Sequence, residues 1–213
     1  MAHLHASIPF LLLLACAACG GTDATVPSAT SVAAPAVEAA VSPSAPSPSG
    51  FEAWKARHAV EGTSAEGTVK VWLDATLLWA NGDEADRALA VEVIQYLTIP
   101  LKDEPDWPKR PTNQTFVQQM EEKPYIFRSY AVGATPENEY AMDPADWKLN
   151  VRRIEAPADD RGTRVEIISG GADSPRPIYM KQSEQTGLWY VNVWANTYVG
   201  IRKPIPPGTE TFR

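Results

Sequence analysis

Trp147-Lys148-Leu149-Asn150-Val151-Arg152 alternates apolar and polar side chains residue by residue. This run decides the fold class, because apolar residues recur at helical spacing before it and at every second position after it. Downstream, Arg164-Val165-Glu166-Ile167 and Pro177-Ile178-Tyr179-Met180-Lys181 carry the same alternation, and Leu188 to Ala195 reads as a further strand. Turn-forming residues separate them at Ala158 to Gly162, Ser169 to Pro175 and Ser183 to Gly187. Sequential strands joined by short turns pair antiparallel. Tyr125 to Val132, rich in aromatic residues, is expected to add a fifth strand.

Upstream the period is helical. Phe51 to Val60 reads as a short helix, and Thr63-Ser64-Ala65-Glu66 is a capping-box pattern opening a second. Val69, Trp72, Leu73, Thr76, Leu77 and Ala80 fall on one face of that second helix, which Asn81-Gly82 ends. Asp83 is an N-cap for a third helix carrying Leu89, Val93, Tyr96 and Leu97, which stops at Pro100. A proline-rich loop containing Trp107 leads to a helix from about Asn113 to Glu122, with Phe116, Val117 and Met120 inward. Helices first and strands after predict an α+β domain over residues 51–213, its N-terminal helices packed on a curved antiparallel sheet of four to five strands.

The residues before this domain differ in kind. Positions 20–50 are almost entirely Ala, Pro, Ser, Thr, Val and Gly, with Asp23 and Glu38 as their charges and no aromatic side chain. Such a segment buries too little apolar area to offset its ordering entropy, and is expected to be a disordered linker. Before it, Ile8 to Ala18 is apolar and ends in small residues, the build of a signal peptide. It is shorter than the ~20 apolar residues that span a bilayer.

The chain has 2 cysteines, Cys16 and Cys19, both at the end of this apolar run. Here the sequence resembles bacterial lipoproteins, whose signal ends in Leu, small residues and a lipidated Cys. Cys16 has Leu13 three positions before it; Cys19 has Ala17 and Ala18 before it and Gly20-Gly21 after it. Cys19 is the preferred anchor and Cys16 the alternative, giving a signal peptide over residues 1–19. The resemblance implies a protein held to a membrane of the bacterial cell envelope by its lipid, periplasmic or surface-exposed. With a thiol used as anchor, the fold must rest on its apolar core rather than on a disulfide.

The order of helices and meander resembles the cone-shaped nuclear-transport-factor-2-like group and, more loosely, cystatin-like folds. The run Gly171-Ala172-Asp173-Ser174-Pro175-Arg176-Pro177-Ile178 and the ending Gly187-Leu188-Trp189-Tyr190-Val191 resemble uncharacterised bacterial domains attached to lipoprotein signals. That likeness implies a location and no activity.

A net charge of -7 argues against nucleic-acid partners, which require clustered Lys and Arg. The expected domain contains one histidine, His58, and no cysteine, so a Cys/His dyad is ruled out within it. His58 is expected as a solvated residue of the first helix, and no Gly-x-Ser-x-Gly elbow surrounds any serine. No residue is assigned a catalytic or metal-binding role, and no cofactor is implied. Glu155, Asp159 and Asp160 read as a solvated hairpin turn.

The candidates for a site are binding residues. Arg128 is a charge amid aromatics in the strand-like run, where an outward-facing position is the preferred reading; pointing inward, it needs a carboxylate partner or a ligand anion. Asp173 and Arg176 flank Ser174-Pro175, where a local ion pair fixing the turn is the preferred reading over a ligand site. Trp194 stands with Trp189, Tyr190 and Tyr198 on the last strand, supplying either core or an exposed aromatic patch. A cone-like sheet is expected to enclose a pocket between its concave face and the helices. The function expected is a non-catalytic, lipid-anchored binding or interaction module, with an envelope protein, a glycan or a small ligand as partner. The alternative is an acid/base hydrolase or isomerase of the cone fold, using converging carboxylates from Glu137, Glu139, Asp143 and Asp146.

Overall fold

The computed structural model describes residues 50–209. The expected signal peptide, most of the linker, Cys16 and Cys19 lie outside the described residues. The helices come first: α1 (Phe51–Glu61), α2 (Ala65–Asn81), α3 (Glu84–Leu97), α4 (Gln114–Glu122) and the single turn α5 (Tyr125–Arg128). The strands β1 (Val151–Glu155), β2 (Thr163–Ile167), β3 (Arg176–Gln182) and β4 (Trp189–Val193) follow, giving the α+β architecture that the change of period predicts.

The organising element is α2. Ser64 caps it, its Oγ accepting from Gly67 N at 3.0 Å, and Gly82 ends it. Val69, Val71, Trp72, Leu73 and Ala75 are all fully buried, so apolar side chains wrap most of the helix rather than one face. The other helices and β4 close around it: α2 packs against α1, α3, α4, α5 and β4. Asp83 caps α3 as expected, accepting from Asp86 N at 2.9 Å. Trp72 stacks on Phe116 of α4 with ring centroids 5.6 Å apart, and its indole N–H donates to Thr98 Oγ1 at 3.1 Å. An aromatic side chain buried with its polar atom satisfied supplies packing without an orphaned donor.

The strands pair antiparallel in the order β1-β2-β3-β4, an open meander rather than a closed barrel. Val165 pairs with Ile178 and Met180 with Val191, and these four are fully buried. Alternate positions of β2 carry Arg164 and Glu166. Glu166 is 3% exposed, and it accepts from Arg153 Nε at 2.8 Å and from Arg164. The bond from Arg153, with the further positive charges of Arg164 and Arg152, holds the Glu166 carboxyl below its usual range despite burial.

The expected fifth strand is a correction. Tyr125–Arg128 is a helical turn, and extended pairing is confined to a bridge between Ala131 and Leu149. Pro124 sets the turn with helical backbone angles, and Ser129 Oγ donates to Ile126 O at 2.6 Å. Ile126, Phe127 and Tyr130 are buried, a spacing of one helical face. The first part of the deciding run is corrected with it: Trp147 to Asn150 precede β1, and Asn150 N donates to Tyr130 O at 3.0 Å.

Candidate functional site

A cavity of about 520 Å³ opens between α1, α2, α5 and the loop at Ala141 to Pro144. It lies among the helices and not on the concave face of the sheet, where the cone-like layout places one; no residue of β1 to β4 lines it. The reason is α2, whose apolar circumference fills the space beside the sheet. Helical spacing builds the walls. Trp54 and Arg57 are three apart on α1, while Asp74, Leu77, Leu78 and Asn81 stand at i, i+3, i+4 and i+7 on one stripe of α2. The loop adds Met142 and Pro144, and α5 adds Arg128.

One end of the cavity is an ordered charge network. Arg57 donates from Nε to Glu61 Oε1 at 2.7 Å and from Nη2 to Asp74 Oδ2. Lys70 Nζ donates to the same Asp74 oxygen at 2.7 Å, and Trp147 Nε1 donates to Asp74 Oδ1 at 2.7 Å. Both oxygens of Asp74 are thus engaged, and it serves as a fixed counter-ion. Burial acts to lower the Arg57 pKa, but the bonds to Glu61 and Asp74 outweigh it and raise the value, so this guanidinium stays charged.

Arg128 is different. It is half-buried and lines the same cavity. Its Nε is buried without a hydrogen-bond partner, and among the described residues no carboxylate pairs with its guanidinium. Arg57, Lys70 and Arg128 face Glu61 and Asp74, so one positive charge is left uncompensated beside Leu77, Leu78 and Met142. A buried donor without a partner costs free energy that a ligand acceptor recovers.

The other sequence candidates lie elsewhere. Arg176 makes no ion pair with Asp173, which corrects the expected pairing. Its Nε donates to Val199 O and its Nη2 to Gly200 O, each at 3.1 Å, and its Nη1 to Ser174 Oγ at 3.0 Å. The guanidinium therefore straps residues 199–200 to the start of β3. Gly200 has φ +65°, and a Cβ there would approach Arg176 Nη2 to 2.8 Å, so the close approach favours glycine. Asp173 is exposed in the preceding turn. Trp194 is half-buried, its ring 6.0 Å from Phe116 at 62°, and belongs to the rim of the aromatic core rather than to a free patch. None of these three lines the cavity.

His58 is also corrected: it is fully buried. Its Nε2 lies 2.9 Å from Trp189 O, which can only accept, so Nε2 carries the proton and Nδ1 accepts from Tyr96 Oη at 3.1 Å. Burial pushes its pKa down, partly opposed by the bond to Trp189, and the nearby Lys102 charge lowers it further. The same burial helps to push the Tyr96 hydroxyl up to about 12, so it remains a donor. Sequence reasoning missed this site because its acceptor comes from β4, far along the chain. Among the described residues no three His, Cys, Asp or Glu side chains gather in a group that would hold a metal ion.

Neither the curated proteins nor the solved structures include a match to this chain. Residues 46–205, which take in every helix and strand described above, match one family model, and the chain belongs to the family of the domain of unknown function DUF6935.

Proposed function

We propose that the chain is a lipid-anchored binding module of the bacterial cell envelope, and that the cavity between α1, α2 and α5 is its ligand site. The observation that carries the reading is Arg128, a half-buried cation in an apolar-walled cavity with no acceptor among the described residues. Its volume of about 520 Å³ is that of a small-molecule site. The acid/base alternative requires two carboxylates converging on one cavity. Asp74 is the single carboxylate among the lining residues, and it is held by three donors.

Anchoring is supported by the apolar leader that ends at Cys16 and Cys19. Among the described residues no helix is long and apolar enough to cross a membrane. Two or more acyl chains on such a cysteine hold a protein stably to a bilayer. The likeness to the nuclear-transport-factor-2-like layout is one of element order.

Both halves of the proposal meet one preparation. The chain produced in its own membranes with labelled palmitate should carry label, and Cys16→Ala together with Cys19→Ala should remove it. Native mass spectrometry of the released protein should show one small molecule per chain, lost on Arg128→Gln. Label retained in the double variant contradicts the anchor, and a ligand-free spectrum for the parent chain contradicts the site.

A further inference from the structure

The geometry points to a ligand class for this cavity, an amphipathic monocarboxylate: its carboxylate on the Arg128 guanidinium, its alkyl or aryl body along Leu77, Leu78 and Met142. The inference rests on reading the cavity as the ligand site. Charge balance selects the head group. Arg57 and Lys70 are satisfied by Glu61 and Asp74, which leaves Arg128 as the unmatched cation among the residues at the site. One guanidinium offers a planar fork that fits a carboxylate bidentately. A phosphomonoester would bring about two negative charges against that one cation and leave the excess desolvated.

The walls select the body. Leu77, Leu78, Met142 and Pro144 supply no donor side chain, so an alcohol-rich or sugar-like ligand would lose hydrogen bonds on entry. Asn81 stands at the far end of the α2 stripe, and one of its two amide N–H groups is committed to Leu77 O at 3.0 Å. A bare small anion such as acetate would engage Arg128 and leave this apolar lining wet. Charge and apolar surface together therefore call for both parts in one molecule.

Calorimetric titration of the full-length chain carrying Cys16→Ser and Cys19→Ser, so that no attached lipid competes, tests the class. Octanoate or 4-phenylbutanoate should bind at one per chain; comparison of the two tells an alkyl from an aryl body. Octanol should bind at least about tenfold more weakly, the scale of a lost charge-assisted hydrogen bond. Acetate should give no saturable heat. Arg128→Gln should weaken carboxylate binding at least about tenfold, and Met142→Trp, which fills the cavity from its loop and leaves Arg128 in place, should abolish it. If Arg128→Gln does not fold by circular dichroism, Met142→Trp with the octanol comparison decides. Octanol binding as tightly as octanoate, or carboxylates bound alike by the parent chain and Met142→Trp, overturns the inference. Octyl phosphate bound in place of the carboxylates, and lost in the same variants, overturns the class while leaving the cavity as a ligand site. No binding by any probe overturns the class, and the co-purified molecule sought by native mass spectrometry then decides the site separately.

Discussion

At the scale of single residues, His58 shows how a local sequence misleads. It stands in a polar stretch, Lys55-Ala56-Arg57-His58, next to exposed Ala59 and Val60, and reads as solvated. Burial comes instead from Tyr96 on α3 and from Tyr190 on β4, whose ring centroids lie 5.3 and 5.1 Å from the imidazole. Because the neutral ring is bonded on both nitrogens, protonation would turn Nδ1 into a donor, end the bond it accepts from Tyr96 Oη and bring charge into the core. The folded-state pKa lies below the ordinary value, so the unfolded chain binds a proton at higher pH than the folded one. Stability contributed by neutral His58 is complete above about pH 6.5 and is lost as pH falls from there to the folded value, at no more than about 1.4 kcal/mol per pH unit. Urea unfolding at pH 7 and pH 5 should show this decline in the parent chain and a shallower one in His58→Gln, which retains a donor for Trp189 O. A decline equal in both proteins would place the titration elsewhere.

At the scale of elements, local signals were legible where the chain close by satisfies its own backbone. Asp83 announces α3 and then caps it, and Asn81-Gly82 announces the end of α2. The alternation in β2 and β3 matches strands because the two sheet faces differ in polarity, with Val165 and Ile178 in the apolar core and Arg164 and Glu166 held in ion pairs on the other face. Tyr125 to Val132 was not legible, since the polar residues of so short a run, Arg128 and Ser129, are adjacent and do not distinguish a period of two from one of 3.6. Only its tertiary neighbours show that Ile126, Phe127 and Tyr130 share one helical face. The start of α2 is displaced by one residue from the capping-box expectation: Ser64, not Thr63, accepts from the helix, whereas Thr63 Oγ1 donates back to Val60 O at 2.9 Å. Ser64→Ala should accordingly cost about 1 kcal/mol in chemical denaturation, and Thr63→Ala clearly less. The reverse order would return the cap to Thr63.

At the scale of the whole molecule, the cavity assembles residues that no single stretch brings together: Arg57 from α1, Asp74 from α2, Arg128 from α5 and Met142 from a loop. The sequence made Arg128 conspicuous as a charge amid aromatics, and the condition stated for it, a partner or a ligand anion, needed only side-chain type. What it lacked was where the carboxylates go. Glu61 and Asp74 are spent on Arg57 and Lys70 through pairs four residues apart on their own helices and one pair between helices. That local pairing is what leaves Arg128 over, and the account of this chain as a binding module depends on it. The direct test follows the guanidinium Nε–Hε signals by nitrogen-15 NMR while octanoate is added to the full-length chain. Arg128 should move most and saturate at one octanoate per chain, with Arg57 little changed because its bonds to Glu61 and Asp74 persist. An Arg128 signal that stays in place while Arg57 shifts would contradict the account.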